Sequence, residues 1–301
     1  MRLARCGFVK SYEDSGLSIG VIPTLCGKSH RVGTRIALIG FGEASSTFAL
    51  AASWGARASA FDIAADDMMR RQMREVGVGI SRNARAALAD ATVVLSLVTA
   101  DQALAAACEC APLLSPGALW CDMNSVAPET KRAASAAIEA AGGRYVDVAV
   151  MAPVIPGGLG VPLLVSGSAA EDAAARLAEL GFANVRVVGK DVGRASAIKM
   201  IRSVMVKGIE ALCAECFAAA HAAGVADEVF ASLDASDKPQ SWAERVAYNL
   251  ERMRTHGLRR ADEMEEAAKT LLGLGVAPVM TKGTIELQRA LGATPAREQA
   301  A

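Results

Sequence analysis

The sequence predicts an α/β fold: a doubly wound parallel sheet followed by an all-helical C-terminal domain. Three observations carry that expectation. Apolar residues make up 52% of the chain but aromatics only 4%, so the core has to be Ala, Val, Leu and Ile, the composition of a buried parallel sheet under Ala-rich helices. Between Arg35 and Gly189 short β-branched runs alternate with helical stretches, the rhythm of consecutive βα units. After Gly193 strand signals stop and helical patterns run on toward the C-terminus.

The elements follow in order. Residues 1–33 are Gly- and Ser-rich, match nothing downstream, and are expected to form an irregular extension. "RIALIG" is a β-branched run closed by glycine, a buried strand. "EASSTFALAASWG" follows as a short helix ending at Gly55, and "RASAFDI" as a second strand. "AADDMMRRQMREVG" has Asp66 and Asp67 in its first turn, arginines later and Gly77 as its stop, the charge order of a helix. "TVVLSLV", "GALWCDM", "RYVDVAV", "VPLLVSG" and "NVRVVG" are further strands. "DQALAAACECAPLL", "PETKRAASAAIEAAGG" and "EDAAARLAELG" supply helices between them. From Gly193, "RASAIKMIRSVMVKGIEALCAECFAAAHAAG" reads as one helix of thirty-odd residues, about 45 Å long at 1.5 Å per residue. The remaining helical sequence is too short to cover it, which implies a homodimer formed through the C-terminal helices. At 301 residues the chain suits two domains, placed at 34–192 and 193–301.

Charge excludes some classes of function. Lys plus Arg and Asp plus Glu are both 32, with no long single-sign run, which argues against nucleic acid or a membrane surface as partner. "MRLARCGFVKSYEDSG" has no unbroken apolar core of a secretory signal. The most apolar stretch carries Pro153, Pro156 and Pro162, which rule out a spanning helix. A soluble, cytoplasmic protein is expected. The seven cysteines form no framework. The pairs Cys108/Cys110 and Cys213/Cys216 are expected to be buried thiols rather than redox or metal sites, and no zinc-ligand spacing is present.

Three stretches carry chemistry. In "ALIGFGEAS", Gly40, Gly42 and Ser45 have the spacing of the dinucleotide fingerprint, between a strand and a helix. The first glycine permits the tight turn, and the second lets backbone approach a pyrophosphate held on the helix's free N–H groups. Ser45 stands where a third glycine would allow close helix–strand packing. The acid expected at the end of the second strand is Asp62. Its carboxylate suits a ribose 2′-hydroxyl and opposes a 2′-phosphate, which favours NAD over NADP. The cofactor set is then Gly40, Phe41, Gly42, Glu43, Ala44 and Asp62, with Val98 and Thr99 after the strand "TVVLSLV". The second stretch is Asn124-Ser125 with Pro128, after "LWCDM": either residue could donate to a substrate or cap the following helix. Gly157-Gly158 in "MAPVIPGG" could offer bare N–H donors or make a plain turn. The third is Lys199 in "GRASAIKMIRS", either a snorkelling lysine or an ammonium desolvated beside a cofactor for proton transfer. Arg202 and Ser203, at i+3 and i+4, would make with it a positive, donor-rich patch for a small anionic substrate.

In this order the three stretches resemble the β-hydroxyacid dehydrogenase superfamily, which includes 3-hydroxyisobutyrate and 6-phosphogluconate dehydrogenases. Gly40-Phe-Gly42 matches the cofactor turn, "DMNSVAP" the substrate loop, "MAPVIPGG" the Ala-Pro-Val-Ser-Gly-Gly segment and "GRASAIKMIRS" the catalytic helix. The resemblance implies a Rossmann domain over 34–192 and a helical substrate and dimerisation domain over 193–301. It also implies hydride transfer between NAD(P) and the alcohol carbon of a small 3-hydroxy acid, with Lys199 as general acid/base. Asn124, Ser125, Gly157, Gly158, Arg202 and Ser203 would hold the substrate. The family's asparagine four residues past the lysine is Ser203 here, which keeps an imine-reducing or decarboxylating enzyme, or a non-catalytic NAD-binding regulator, as alternatives. The C-terminal part is similar to a compact domain of a poorly characterised branch, where His256, Arg259 and Arg260 are further candidates.

Overall fold

A computed structural model describes residues 34–236 and 241–294, and the extension expected over 1–33 lies outside them. The first strand, β1 (Ile36–Ile39), is buried at every position, as a strand covered on both faces must be. The chain turns at Gly40 into α1 (Glu43–Ala52), which ends at Ser53 in left-handed backbone with φ 50°; the stop expected at Gly55 falls just beyond it. Then come β2 (Ala58–Phe61) and α2 (Asp67–Glu75), capped by Asp66, whose Oδ1 accepts from Met69 N. β3 (Gly79–Ile80) and α3 (Ala84–Leu88) are too short to show a period and were not expected. β4 (Val93–Ser96), α4 (Ala103–Cys110), β5 (Leu119–Asp122), α5 (Pro128–Ala140) and β6 (Arg144–Val150) follow the anticipated alternation. A single turn, α6 (Val154–Gly157), leads into β7 (Leu163–Ser166), α7 (Ala170–Glu179) and β8 (Val185–Gly189).

The strands form one eight-stranded sheet in the order β3-β2-β1-β4-β5-β6-β7-β8. One correction is needed to a wholly parallel sheet: β7 runs antiparallel to β6, with Val148 opposite Val165 and Val150 opposite Leu163. The connection is the reason. A parallel return is usually made by a helix that crosses the face of the sheet, whereas the link 151–162 holds only the one-turn α6 and a short helical turn at Gly158–Gly160, with no helix long enough to cross. β8 then pairs parallel to β7.

Alternate strand residues feed two cores. Ile36, Leu38, Val93 and Leu95 join Phe48, Trp54 and Phe182 on one face. Ala37, Ile39, Val94, Trp120 and Tyr145 join Ile138 on the other. Phe48 and Phe182 meet edge to face at 5.0 Å, and Trp54 Nε1 donates to Leu180 O at 2.9 Å. That clamp fixes α1, and hence the turn before it, against the far end of the sheet.

α8 (Arg194–Ala223) is the long helix the sequence predicted, followed by α9 (Ala226–Ser236), α10 (Trp242–Gly273) and α11 (Val279–Gly292). Its first turn packs on the sheet, with Ala195 and Ser196 buried. Farther along it leaves Ile201, Ile209, Leu212 and Phe217 exposed. Glu215 joins α8 to α11, accepting from Met280 N at 2.7 Å and from Thr281 N and Oγ1 at 3.0 and 2.6 Å. Among the described residues no helix is long and apolar enough to cross a membrane. The cysteines depart from expectation: Cys110 and Cys121 are buried, but Cys108, Cys213 and Cys216 are exposed.

Candidate functional site

The sheet order reverses between β1 and β4, which opens a crevice at the carboxyl ends of the strands. Gly40 sits there at φ 88°, and a β-carbon on it would lie 2.7 Å from Leu97 C and 2.9 Å from Val98 Cγ1. Only glycine can turn so tightly beside β4. Gly42 differs: its φ is −80°, and a β-carbon would meet nothing within 4 Å. The open space stands at the N-terminus of α1, which has no side-chain cap. A helix start with bare N–H donors and room for a ligand atom is a fitting seat for a pyrophosphate. Ser45 is fully buried, and its hydroxyl donates to Gly40 O at 2.7 Å. It does more than tolerate the absent third glycine; it pins the turn.

Asp62 follows β2. Its Oδ2 accepts from Phe41 N and its Oδ1 from Ala64 N, both at 2.8 Å. The carboxylate is thus built into the glycine turn, with further lone pairs left on each oxygen. Phe41 points into the core, fully buried, while Glu43 and Ala44 face the α1 start. A cleft of about 680 Å³ runs from Gly42 and Glu43 past Ser46 to Asp66 and Met69, and Ile155 borders it. The loop after β6 therefore reaches the cleft beside the glycine turn through Ile155. Gly158 N instead donates to Val154 O, and a β-carbon on Gly158 would touch Ala51 of α1 at 3.6 Å. One on Gly157 would strike Val161 Cγ1 at 2.7 Å. These glycines fold the loop onto α1 and Val161, and the Gly158 N–H is already spent.

Asn124 and Ser125, adjacent in sequence, face different tasks. Asn124 is 4% exposed, with its Oδ1 accepting from Val98 N at 2.7 Å and its Nδ2 donating to Ser96 Oγ and Asp122 Oδ1 at 3.0 and 2.8 Å. Its amide joins the end of β4 to the end of β5. Neither residue caps α5, whose N-cap is Ala127. Ser125 is exposed, and its Oγ receives a hydrogen bond from Lys199 Nζ at 2.6 Å. That contact brings the head of α8 onto the carboxyl end of β5. Lys199 is half-buried rather than enclosed; Arg202 is exposed and Ser203 half-buried on the same helix. Val98 is fixed by Asn124, and Thr99 starts the short helical turn 100–102. His256 and Arg259 are exposed and Arg260 half-buried on α10.

Beneath this surface lies a charged cluster that sequence reasoning missed. Lys131 is fully buried; its Nζ donates to Asp122 O at 2.7 Å and Asp122 Oδ1 at 2.9 Å, and lies 3.5 Å from Asp147 Oδ1. Tyr145 donates to Asp122 Oδ2 at 2.7 Å. Burial, then the Asp122 charge and this bond, push the Tyr145 hydroxyl far above its ordinary value, so it stays a donor. Asp147 Oδ2 accepts from Ser196 N at 2.9 Å and Ser166 Oγ at 3.2 Å, and Ser166 Oγ accepts from Ala195 N at 3.0 Å. A carboxylate and a hydroxyl from the sheet thus cap α8, where negative charge complements the helix dipole. The signal was present: Lys131, Ala134, Ser135 and Ile138 share the buried stripe of α5, and Asp147 interrupts an apolar strand.

Comparison with known proteins bears on both halves of the chain. The model for the NAD binding domain of 6-phosphogluconate dehydrogenase matches residues 35–185, and that for a domain of unknown function (DUF1932) matches residues 220–291. A conserved hypothetical protein from Sinorhizobium meliloti is 39% identical, with 89% of this chain and 91% of that one covered at a TM-score of 0.58. A second conserved protein of unknown function, described as structurally similar to 3-hydroxyacid dehydrogenases, is 32% identical, covering 89% and 99% at 0.57. A reductive aminase from Aspergillus terreus, solved in complex with NADPH, cyclohexanone and allyl amine, shares the fold at 18% identity, covering 86% and 93% at 0.66.

Proposed function

The chain belongs to the family built on the NAD binding domain of 6-phosphogluconate dehydrogenase, and from that premise we propose that it is an NAD-dependent dehydrogenase acting on the alcohol carbon of a small 3-hydroxy acid, with Lys199 as general acid/base. One observation carries the reading: Lys199 Nζ donates to Ser125 Oγ across 2.6 Å, joining α8 to the carboxyl end of β5, where open α/β sheets bind their ligands.

A nicotinamide cofactor, when bound, would supply the hydride exchange. Residues of this chain do the rest. Gly42 and the first N–H groups of α1 would receive the pyrophosphate, and Asp62 would accept from the ribose while its Oδ2 steadies the turn through Phe41 N. Val98, Thr99 and Ala44 would complete the cofactor set. In oxidation Lys199, as the neutral amine, takes the substrate's hydroxyl proton and becomes the ammonium; in reduction the ammonium gives that proton to the carbonyl oxygen and is left neutral. Correct placement of such a group contributes about 10²–10⁴-fold. Ser125 would orient the lysine head and reach the substrate carboxylate, with Arg202 and Ser203 as further donors. Asn124 and the Gly157-Gly158 turn serve by shaping the floor, since the Asn124 amide and the Gly158 N–H are already bonded. The working unit is a homodimer in which a second copy covers Ile201, Ile209, Leu212 and Phe217 of α8. The two functional parts are 34–192 and 193–301.

A panel of 3-hydroxy acids assayed with NAD and with NADP, following absorbance of the reduced cofactor, tests the reading. Turnover with at least one acid and faster rates with NAD are expected. Reduction of imines with no hydroxy-acid oxidation would overturn the substrate assignment. Cofactor binding without turnover on either panel would overturn the enzyme.

A further inference from the structure

Lys199 and Ser125 come from elements remote in sequence, so something must fix their separation. Both lead back to one buried ammonium. On one side, Lys131 Nζ holds Asp122 through its carbonyl and Oδ1, and that Oδ1 also accepts from Asn124 N at 2.9 Å and Asn124 Nδ2 at 2.8 Å. Asn124 precedes Ser125. On the other side, Lys131 faces Asp147 at 3.5 Å, and Asp147 Oδ2 receives Ser196 N at 2.9 Å in the first turn of α8, one turn before Lys199. We propose that Lys131, acting through Asp122 and Asp147, is a positioning residue that sets where the Lys199 ammonium stands relative to Ser125. The inference rests on the reading of Lys199 as the acid/base.

Three features favour this over a purely structural ion pair. A buried pair is a poor source of stability compared with apolar packing of the same volume, so its use here calls for another return. Two carboxylates surround one ammonium, and the second also accepts from Ser166 Oγ and from Ser196 N in the first turn of α8, where the positive end of the helix dipole offsets its charge. Finally, α8 packs on the sheet with its first turn while Ile198 and Ile201 are already exposed. The direction of the helix is therefore decided where Asp147 and Ser166 hold it.

The test compares full-length wild type with Lys131→Met, Asp147→Asn, Ser125→Ala and Lys131→Met/Ser125→Ala. Melting temperature and NAD affinity first establish which variants are folded. Asp147→Asn retains an oxygen for Ser196 N and serves if Lys131→Met does not fold, its double then being Asp147→Asn/Ser125→Ala. In the folded variants kcat should fall about tenfold or more, since displacement of a reacting group by about 1 Å costs on that order or beyond. NAD affinity should stay within about twofold of wild type, and adding Ser125→Ala should cost no more than about twofold beyond Ser125→Ala alone, the mark of groups acting in one chain. A second readout needs no turnover: acetylation of Lys199 by an N-hydroxysuccinimide ester, followed by mass spectrometry across pH, should shift in the Lys131 and Asp147 variants toward the Ser125→Ala profile. A lower melting temperature with unchanged kcat and an unchanged Lys199 profile would make Lys131 merely structural and overturn the inference. Losses that multiply in the double variant would overturn it as well. If wild type turns over nothing, the functional reading fails, and the acetylation profiles still decide the positioning role.

Discussion

Replacing Gly42 by alanine separates the fold of the glycine turn from its use. The position has φ −80° and ψ −161°, extended backbone open to any residue, and the new methyl would meet nothing within 4 Å. Alanine is a worse N-cap than glycine by about 0.5–1 kcal/mol, while stiffening the unfolded chain returns about 0.4–1 kcal/mol. The net is close to zero, a change in Tm of under about 2 °C. The methyl would, however, occupy the place of a pyrophosphate oxygen. Hydrogen bonds to a charged group contribute about 1.5–3 kcal/mol each, so losing one or two should weaken NAD about 100-fold. Gly40→Ala is the control. Its methyl would sit 2.7 Å from Leu97 C at φ 88°, adding left-handed strain of about 1–2 kcal/mol to overpacking of about 1–3 kcal/mol. Together these lower Tm by about 10 °C. Calorimetric titration with NAD beside thermal melting of both variants is the assay. Wild-type NAD affinity in Gly42→Ala would refute the pyrophosphate seat, and wild-type melting of Gly40→Ala would refute the packing argument.

Three further outcomes follow from the same geometry. Asp62→Asn removes the charge proposed to face the ribose; unit charges about 5 Å apart repel by about 3 kcal/mol at an effective dielectric of 20. NAD-over-NADP preference should therefore fall by up to about 100-fold, read by fluorescence titration, and an unchanged ratio would contradict the role given to Asp62. Glu215 is raised by burial, but bonds from Thr281 and Met280 outweigh that and hold its carboxyl below the ordinary value of 4.5. A depressed carboxyl stabilises the fold above its unfolded pKa and loses that contribution as pH falls through the folded one. The melting advantage of wild type over Glu215→Gln should thus be steady near neutrality and vanish in acid; an advantage independent of pH would contradict it. Burial pushes the thiols of Cys110 and Cys121 up to about 12, so iodoacetamide at mildly alkaline pH should leave both unmodified in the native protein while exposed Cys108, Cys213 and Cys216 react.

The alternation of strands and helices was legible because short apolar runs such as "RIALIG", "TVVLSLV" and "RYVDVAV" alternate with longer Ala-rich stretches of helical length. The direction of β7 was not, since an apolar run such as "VPLLVSG" reports burial and is silent on polarity; the preceding link, 151–162, carries single turns and no crossover helix. Gly40 and Gly42 were legible from their spacing, yet only three dimensions separate the glycine that packs from the one that faces open space. Asn124 illustrates the limit most clearly. Its type and place fit a substrate contact, but partners on β4 and β5 use up its amide, and such long-range bonds leave no local mark. The Lys131 cluster was hidden for the same reason, although a lysine on the apolar stripe of α5 was a sign worth following.

The account stands or falls on Lys199. With the hydroxy acid found by screening, Lys199→Ala should lose about 10²–10⁴-fold in kcat while binding NAD with wild-type affinity. A variant that turns over at the wild-type rate would contradict proton transfer by this lysine, however well the glycine turn holds its cofactor.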